Sequence, residues 1–204
     1  MNIAGKRCVV CGGGEVALRK VQALLDCGAS VEVISPLICA ELADMAKTYK
    51  IRVHSRGYQD GDLQVACVVI AATDDRETNA RIAGEAHRTG CIVNAVDDPD
   101  ISDFIVPSCL KRGDITISVS TSGKSPALAR KLRTSLERQF GPEYADLAKI
   151  VSEARTEIKK QGLKVDEKVW QESLDLELLI NLIKEGKPTE AKEMIIKKIT
   201  GGMD

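Results

Sequence analysis

Near its start the chain runs from an apolar segment, Cys8-Val9-Val10-Cys11, through three consecutive glycines, Gly12, Gly13 and Gly14, into a helix-forming stretch opening on Glu15-Val16-Ala17. Few junctions restrict a fold as much, because a strand must end, turn and feed a helix within three residues that carry no side chain. The spacing Gly12-x-Gly14-x-x-Ala17 permits a tight turn at the first position and a close backbone approach to a bound group at the second. At the third it keeps the helix–strand contact small. Unpaired N–H groups at the start of the helix then favour an anion above the turn. Strand, phosphate-cradling turn and helix together open a dinucleotide-binding βαβ unit.

The order of elements beyond the turn supports that reading. Ala17, Val21 and Leu24 fall on one helical face, Gly28 suits the helix stop, and Val31-Glu32-Val33-Ile34 predicts the second strand. Ile51–His54 is a short strand candidate, and the apolar run Val65–Ala72 suits a strand buried on both faces of a parallel sheet. Thr73-Asp74-Asp75 then caps a helix beginning near Arg76, Gly90 ends it, and Cys91–Val96 predicts the next strand. The fold expected over residues 1–111 is α/β: a Rossmann-like doubly wound parallel sheet that binds NAD. The acidic residue that commonly holds the adenosine ribose is missing, and Ser35-Pro36-Leu37 stands in its place. Ser35 and backbone groups are therefore expected to meet the ribose. No arginine directly follows the strand to receive a 2′-phosphate, which favours NAD over NADP.

After residue 111 the rhythm changes. Ile115–Ser120 alternates apolar and polar residues, which predicts a strand with one face solvated or covered by a partner. Thr121-Ser122-Gly123-Lys124 reads as a polar loop, Ser125-Pro126 as an N-cap followed by proline at the first helical position, and Pro126–Phe140 as a basic helix broken by Gly141-Pro142. Helices are expected over Glu143–Lys160, Glu167–Glu185 and Thr189–Ile199. The organisation expected is a small α+β segment over 112–145, suited to dimerisation and substrate binding, and a helical region over 146–204.

Charge is uneven. Lys plus Arg against Asp plus Glu gives 11 against 15 over residues 1–110, 7 against 2 over 111–140, and 11 against 13 over 141–204. A net charge of -1 predicts no general affinity for nucleic acid or membranes. No long apolar span or leader-like start is evident, so a cytoplasmic protein is expected. The 7 cysteines are read as buried free thiols. Cys8 and Cys11 imitate a metal or redox pair, but three residues apart on a strand they face opposite sides of the sheet. His54 and His87 have no companions at metal-ligand spacing, so no resident metal is expected.

Ligands of open α/β sheets sit at the carboxyl ends of the strands. That rule singles out Thr73 beside the cofactor and Asp97 as an acid or base, although Asp97-Asp98-Pro99-Asp100 also spells an ordinary turn. Asp98, Asp100 and Asp103 are read as solvated loop charges. Ser120, Thr121, Ser122, Lys124 and Ser125, with Arg130, Lys131 and Arg133 within two turns, would suit a substrate bearing several carboxylates. A capped helix with a solvated basic face is the other reading of that segment.

Taken together, Gly12–Lys20, Ala71–Asp75, Asn94–Asp97, Phe104–Ser108 and Ser120–Arg130 resemble one family over about residues 1–160. It is the precorrin-2 dehydrogenase family, the N-terminal module of sirohaem synthase. The resemblance implies NAD-dependent oxidation of precorrin-2 to sirohydrochlorin, and in bifunctional members insertion of ferrous iron to give sirohaem. It implies cofactor contacts at Glu15, Val16, Pro36 and Leu37, a proton-abstracting role for Asp97, and a homodimer exchanging contacts through 112–145. A serine that is phosphorylated in some members falls on Thr121. The methyltransferase module of longer members does not follow, so uroporphyrinogen methylation is expected of another protein. The competing readings are a non-catalytic NAD-binding sensor module and a methyltransferase using S-adenosylmethionine. The first needs no aspartate beside the nicotinamide, and the second leaves residues 120–140 without a role.

Overall fold

In the computed structural model, which describes residues 1–48 and 50–201, the apolar runs of the first half become one parallel sheet. Its strands are β1 (Arg7–Cys11), β2 (Ser30–Ile34), β3 (Arg52–His54), β4 (Val68–Ala71) and β5 (Ile92–Ala95), in the order β3-β2-β1-β4-β5. The central strands are buried along almost their whole length, as a sheet covered on both faces requires. Helix α1 (Glu15–Asp26) lays Ala17, Val21 and Leu24 on one face together with Cys8, Val10 and Val33. Helix α2 (Ala40–Lys47) adds Leu42 to the same core. On the other face α3 (Arg76–Thr89) packs Ile82, Ala83 and Ala86 against Val9, Cys11 and Val69. Cys8 and Cys11 thus belong to opposite cores, as the strand alternation predicts. The sheet is the doubly wound one expected, with its order turning outward between β1 and β4.

Several boundaries differ from expectation for local reasons. The run Val65–Ala72 is a strand only over Val68–Ala71. Val65 has a φ of 56° and is 91% exposed in the turn that precedes it. Helix α2 has too short an apolar stripe, one buried leucine, to announce itself in the sequence. The thiols are not uniformly buried: all seven are free, but only Cys8, Cys11 and Cys91 are buried, and Cys27 and Cys109 are exposed.

Strand β5 lies at an edge of the sheet, and the returning chain covers it. Val93 N–H donates to Asp103 Oδ2 (2.8 Å), Asp103 N–H donates back to the Val93 carbonyl (2.8 Å), and Ala95 N–H donates to Ser102 Oγ (2.9 Å). Asp103 also meets His87 at 3.2 Å, so the exposed loop charge expected is a structural brace as well. Ser102 Oγ is 2.8 Å from the Asp98 carbonyl, which closes the loop carrying Asp97 and a single 3₁₀ turn (Pro99–Ile101). An edge that would otherwise offer unpaired backbone is thereby satisfied.

The chain divides into two compact units, Met1–Val106 and Pro107–Asp204. The second opens with an antiparallel hairpin of β6 (Ser108–Arg112) and β7 (Ile115–Val119), turning at Gly113 with a φ of 57°. No sequence signal marks strand β6: its alternation is masked by Lys111 and Arg112, and only Leu110 is buried. Helix α4 (Pro126–Gln139) starts as read, with Ser125 accepting from Leu128 N–H. Helices α5 (Glu143–Lys160), α6 (Glu167–Ser173), α7 (Leu176–Lys184) and α8 (Pro188–Thr200) follow. They close a core of Leu147, Ile150, Leu179 and Ile195. The single helix expected over Glu167–Glu185 is therefore two, because Asp175 turns its carboxylate onto Leu178 N–H and caps a new helix. No helix among the described residues is long and apolar enough to cross a membrane.

Candidate functional site

The carboxyl ends of β1, β2, β4 and β5 open into a cleft of about 1180 Å³. Each wall follows from local sequence. Gly12 has a φ of +128°, and a Cβ there would lie 2.1 Å from the Ala72 carbonyl oxygen, so only glycine allows β1 to turn against β4. A Cβ on Gly13 would lie 2.0 Å from the Leu37 carbonyl oxygen. At Gly14 a Cβ would meet nothing within 4 Å, because that position faces the open cleft. Gly14 is also the N-cap of α1 and offers no side chain to its first amides. The turn is therefore closed where it packs and open where a pyrophosphate would approach.

Gly12, Gly13, Gly14, Glu15, Val16, Ser35, Pro36, Leu37, Thr73 and Asp97 all line this one cleft. Ser35 is buried and its hydroxyl donates to the Leu37 carbonyl at 2.6 Å, so toward a ribose it can only accept. Leu37 is 83% exposed at the cleft wall. The Thr73 amide and hydroxyl both donate to Asn79 Oδ1, at 3.1 and 2.8 Å, and Asn79 Nδ2 donates back to the Thr73 carbonyl at 2.9 Å. Asp75 is the N-cap of α3: the Thr78 hydroxyl, and then the Thr78 N–H at 3.0 Å, donate to its carboxylate and hold it below the usual range.

Sequence reasoning missed three parts of this wall. Asn79, buried in the first turn of α3, fixes the Thr73 corner, but a polar residue at a helix start carries no distinctive signal. Tyr58 lines the cleft and its hydroxyl donates to Glu85, which also accepts from the amides of Gly61 and Leu63. Burial and that carboxylate push the Tyr58 phenol well above its ordinary range. Glu15 and Cys39 of the wall, with Glu41 outside it, bring one ligand atom each within 4.8 Å of one another, a grouping that no sequence spacing reveals. His54 and His87 each gain a carboxylate neighbour at 3.2 Å, Glu32 and Asp103 respectively.

Asp97 lies just past β5 with a φ of 59°, a conformation uncommon outside glycine and asparagine. Its carboxylate is exposed, and among the described residues it has neither a hydrogen bond nor an ion pair. Asp98 beside it is tied to Arg76 at 3.3 Å and only 18% exposed, so it is less solvated than the loop charge expected.

The other predicted residues form a separate group in the second unit. Ser122 N–H donates to Ser120 Oγ (3.2 Å) and Ser125 N–H to Thr121 Oγ1 (3.0 Å), so these two loop amides turn inward. Fewer backbone donors face outward than the sequence suggests. Arg130 and Lys131 line a shallow hollow of about 470 Å³ with Pro126, Ala127 and Thr134, while Lys124 is exposed. Arg133 is paired with Glu137 and is not a free cation.

A doubly wound sheet with a glycine turn that opens on a helix start defines a dinucleotide-binding protein. The comparisons agree. Residues 1–108 match the model of an NAD(P)-binding family, and the chain belongs to that family. Residues 112–139 match the central-domain model of sirohaem biosynthesis proteins. Among curated relatives, the sirohaem synthase of Azotobacter vinelandii is 35% identical over 202 residues, covering 98% of this chain and 43% of the relative. That of Thioalkalivibrio sulfidiphilus is 37% identical over 207 residues (100% and 42%), and that of Methylococcus capsulatus 40% over 153 residues (75% and 32%). The chain spans less than half the length of these relatives. Among solved structures, that of SirC, a precorrin-2 dehydrogenase, superposes with a TM-score of 0.76 at 22% identity, covering 98% of this chain and 97% of the other, which establishes the shared fold.

Proposed function

We propose that the chain oxidises precorrin-2 to sirohydrochlorin with NAD as hydride acceptor. The observation that carries this reading is the free, exposed carboxylate of Asp97 on the wall of the cleft that also holds the glycine turn. Gly12, Gly13 and Gly14, with the amides of Glu15 and Val16, would hold the pyrophosphate. Ser35, Pro36 and Leu37 would meet the adenosine, and Thr73 the edge nearer the nicotinamide. Bound there, NAD supplies a two-electron acceptor. The substrate loses two hydrogens, one as hydride and one as a proton; Asp97 takes the proton and returns it to solvent. The absence of any basic side chain among Ser35, Pro36 and Leu37 favours NAD over NADP.

Ser120, Thr121, Ser122, Lys124, Ser125 and Arg130 belong to the same proposal as contacts for the carboxylates of the tetrapyrrole. So does a homodimer formed through 112–145, which sedimentation of the full chain tests. Ferrous iron is a second substrate in this reading, with Asp97 accepting pyrrole protons. A rate of sirohaem formation from sirohydrochlorin and ferrous iron no higher than that without protein removes this activity alone. The primary test is anaerobic addition of NAD and precorrin-2 to the purified chain. NADH should form in step with sirohydrochlorin, and nicotinamide absorbance no higher than the protein-free control would reject the assignment in favour of a non-catalytic NAD-binding module.

A further inference from the structure

Lys20 lies on α1, beside the buried stripe of Ala17, Val21 and Leu24, and its ammonium donates to Asn94 Oδ1 at 3.0 Å. Asn94 has no freedom to turn away. It is buried in β5, and its Nδ2 donates to the Phe104 carbonyl at 2.9 Å, so its oxygen stays directed at the lysine. This neutral oxygen is the only hydrogen-bond partner of the ammonium among the described residues, which leaves two of its three donors unused. No carboxylate there forms a salt bridge with it. Burial pushes the ammonium below the usual lysine range and Arg19 adds to the effect, while Asp97 acts in the opposite direction. A partly desolvated cation with one neutral partner gains strongly when an anion completes its shell.

Such an anion would sit near Asp97, whose charge already acts on the ammonium. Asp97 follows Asn94 by three residues, so their Cα atoms lie within about 11 Å. The segment between them is held by Ser102, which accepts from Ala95 N–H and reaches the Asp98 carbonyl. Lys20 does not itself line the dinucleotide cleft, whereas Asp97 does. We propose that Lys20 receives a carboxylate of the substrate beside Asp97 and is a specificity-determining residue for polyanionic macrocycles, an inference that rests on the function proposed above.

The test separates the charge of Lys20 from its hydrogen bond. Sirohydrochlorin is titrated into the full chain without NAD and followed by its absorbance, using the unaltered protein, Lys20→Gln and Lys20→Arg; NADH binding is followed in parallel. Gln keeps a donor for Asn94 but no charge, whereas Arg restores the charge. Lys20→Gln should weaken macrocycle binding about ten- to a hundredfold, with NADH affinity unchanged and most of the loss recovered in Lys20→Arg. The KM for precorrin-2 should rise in step with that loss. Equal macrocycle affinity in Lys20→Gln and the unaltered chain overturns this assignment alone. No macrocycle binding by the unaltered chain removes the proposed function, and this inference with it.

Discussion

Gly12 and Ala72 are packed so closely that no side chain fits between them: a Cβ on Gly12 would lie 2.1 Å from the Ala72 carbonyl oxygen and 2.7 Å from its carbon. At Gly14, two residues on, a Cβ would meet nothing within 4 Å. The contrast is between a glycine required by packing and one that faces the open cleft. Gly12→Ala should destabilise the fold by roughly 3 kcal/mol, a fall of about 10 °C in Tm. Gly14→Ala should unfold within about 2 °C of the unaltered chain yet bind NADH more weakly. Thermal unfolding with NADH titration on both variants checks the contrast.

The loop that carries Asp97 depends on Ser102, whose hydroxyl accepts from Ala95 N–H and reaches the Asp98 carbonyl. Ser102→Ala should cost about 1–2 kcal/mol in urea unfolding. It should lower kcat for NADH formation while leaving the affinity for NAD unchanged, because the glycine turn is not involved.

Glu32 is buried between strands with Arg7 and Arg52 each 2.9 Å away and His54 at 3.2 Å. Its hydrogen bond from Arg7 leads the interactions that hold its carboxyl below the ordinary value of 4.5, against a smaller opposing effect of burial. With a folded pKa below the unfolded one, its contribution to stability is present above about pH 4.5 and lost as the pH falls through the depressed value. Glu32→Gln should be less stable at pH 7 and lose less stability between pH 4.5 and 3. Urea unfolding at a series of pH values reads both effects.

Thiol reactivity should follow burial. Burial raises the Cys8 thiol to about 11 and the Cys11 thiol to about 12. At pH 8 these two should stay unmodified by iodoacetamide in the folded chain, while exposed Cys27 and Cys109 react first. Peptide mass spectrometry over time resolves the order, and all seven should react in denaturant.

Much of the cofactor site is legible in the sequence because its constraints are local. The glycine turn, the buried stripe of α1 and the Asp75 cap each lie within one short segment, so spacing alone exposes them. The residues that brace the site are different. Asn79 acts on Thr73 across a corner, Glu85 gathers Tyr58, Gly61 and Leu63 across more than twenty positions, and Lys20 meets Asn94 across 74. Each is an ordinary polar residue in sequence and acquires meaning only through tertiary proximity. Asp103 shows the same limit from the other side: a charge in an acidic turn becomes a backbone brace for β5 only because the chain folds back along that strand.

In the proposed function, Asp97 performs proton transfer in a cleft that binds NAD independently of it. Comparing the unaltered chain with Asp97→Ala, with NAD affinity and the rate of NADH formation from precorrin-2 measured on the same preparations, tests this. The variant should bind NAD equally and form no NADH above the protein-free control. Turnover by Asp97→Ala at the rate of the unaltered chain would contradict it.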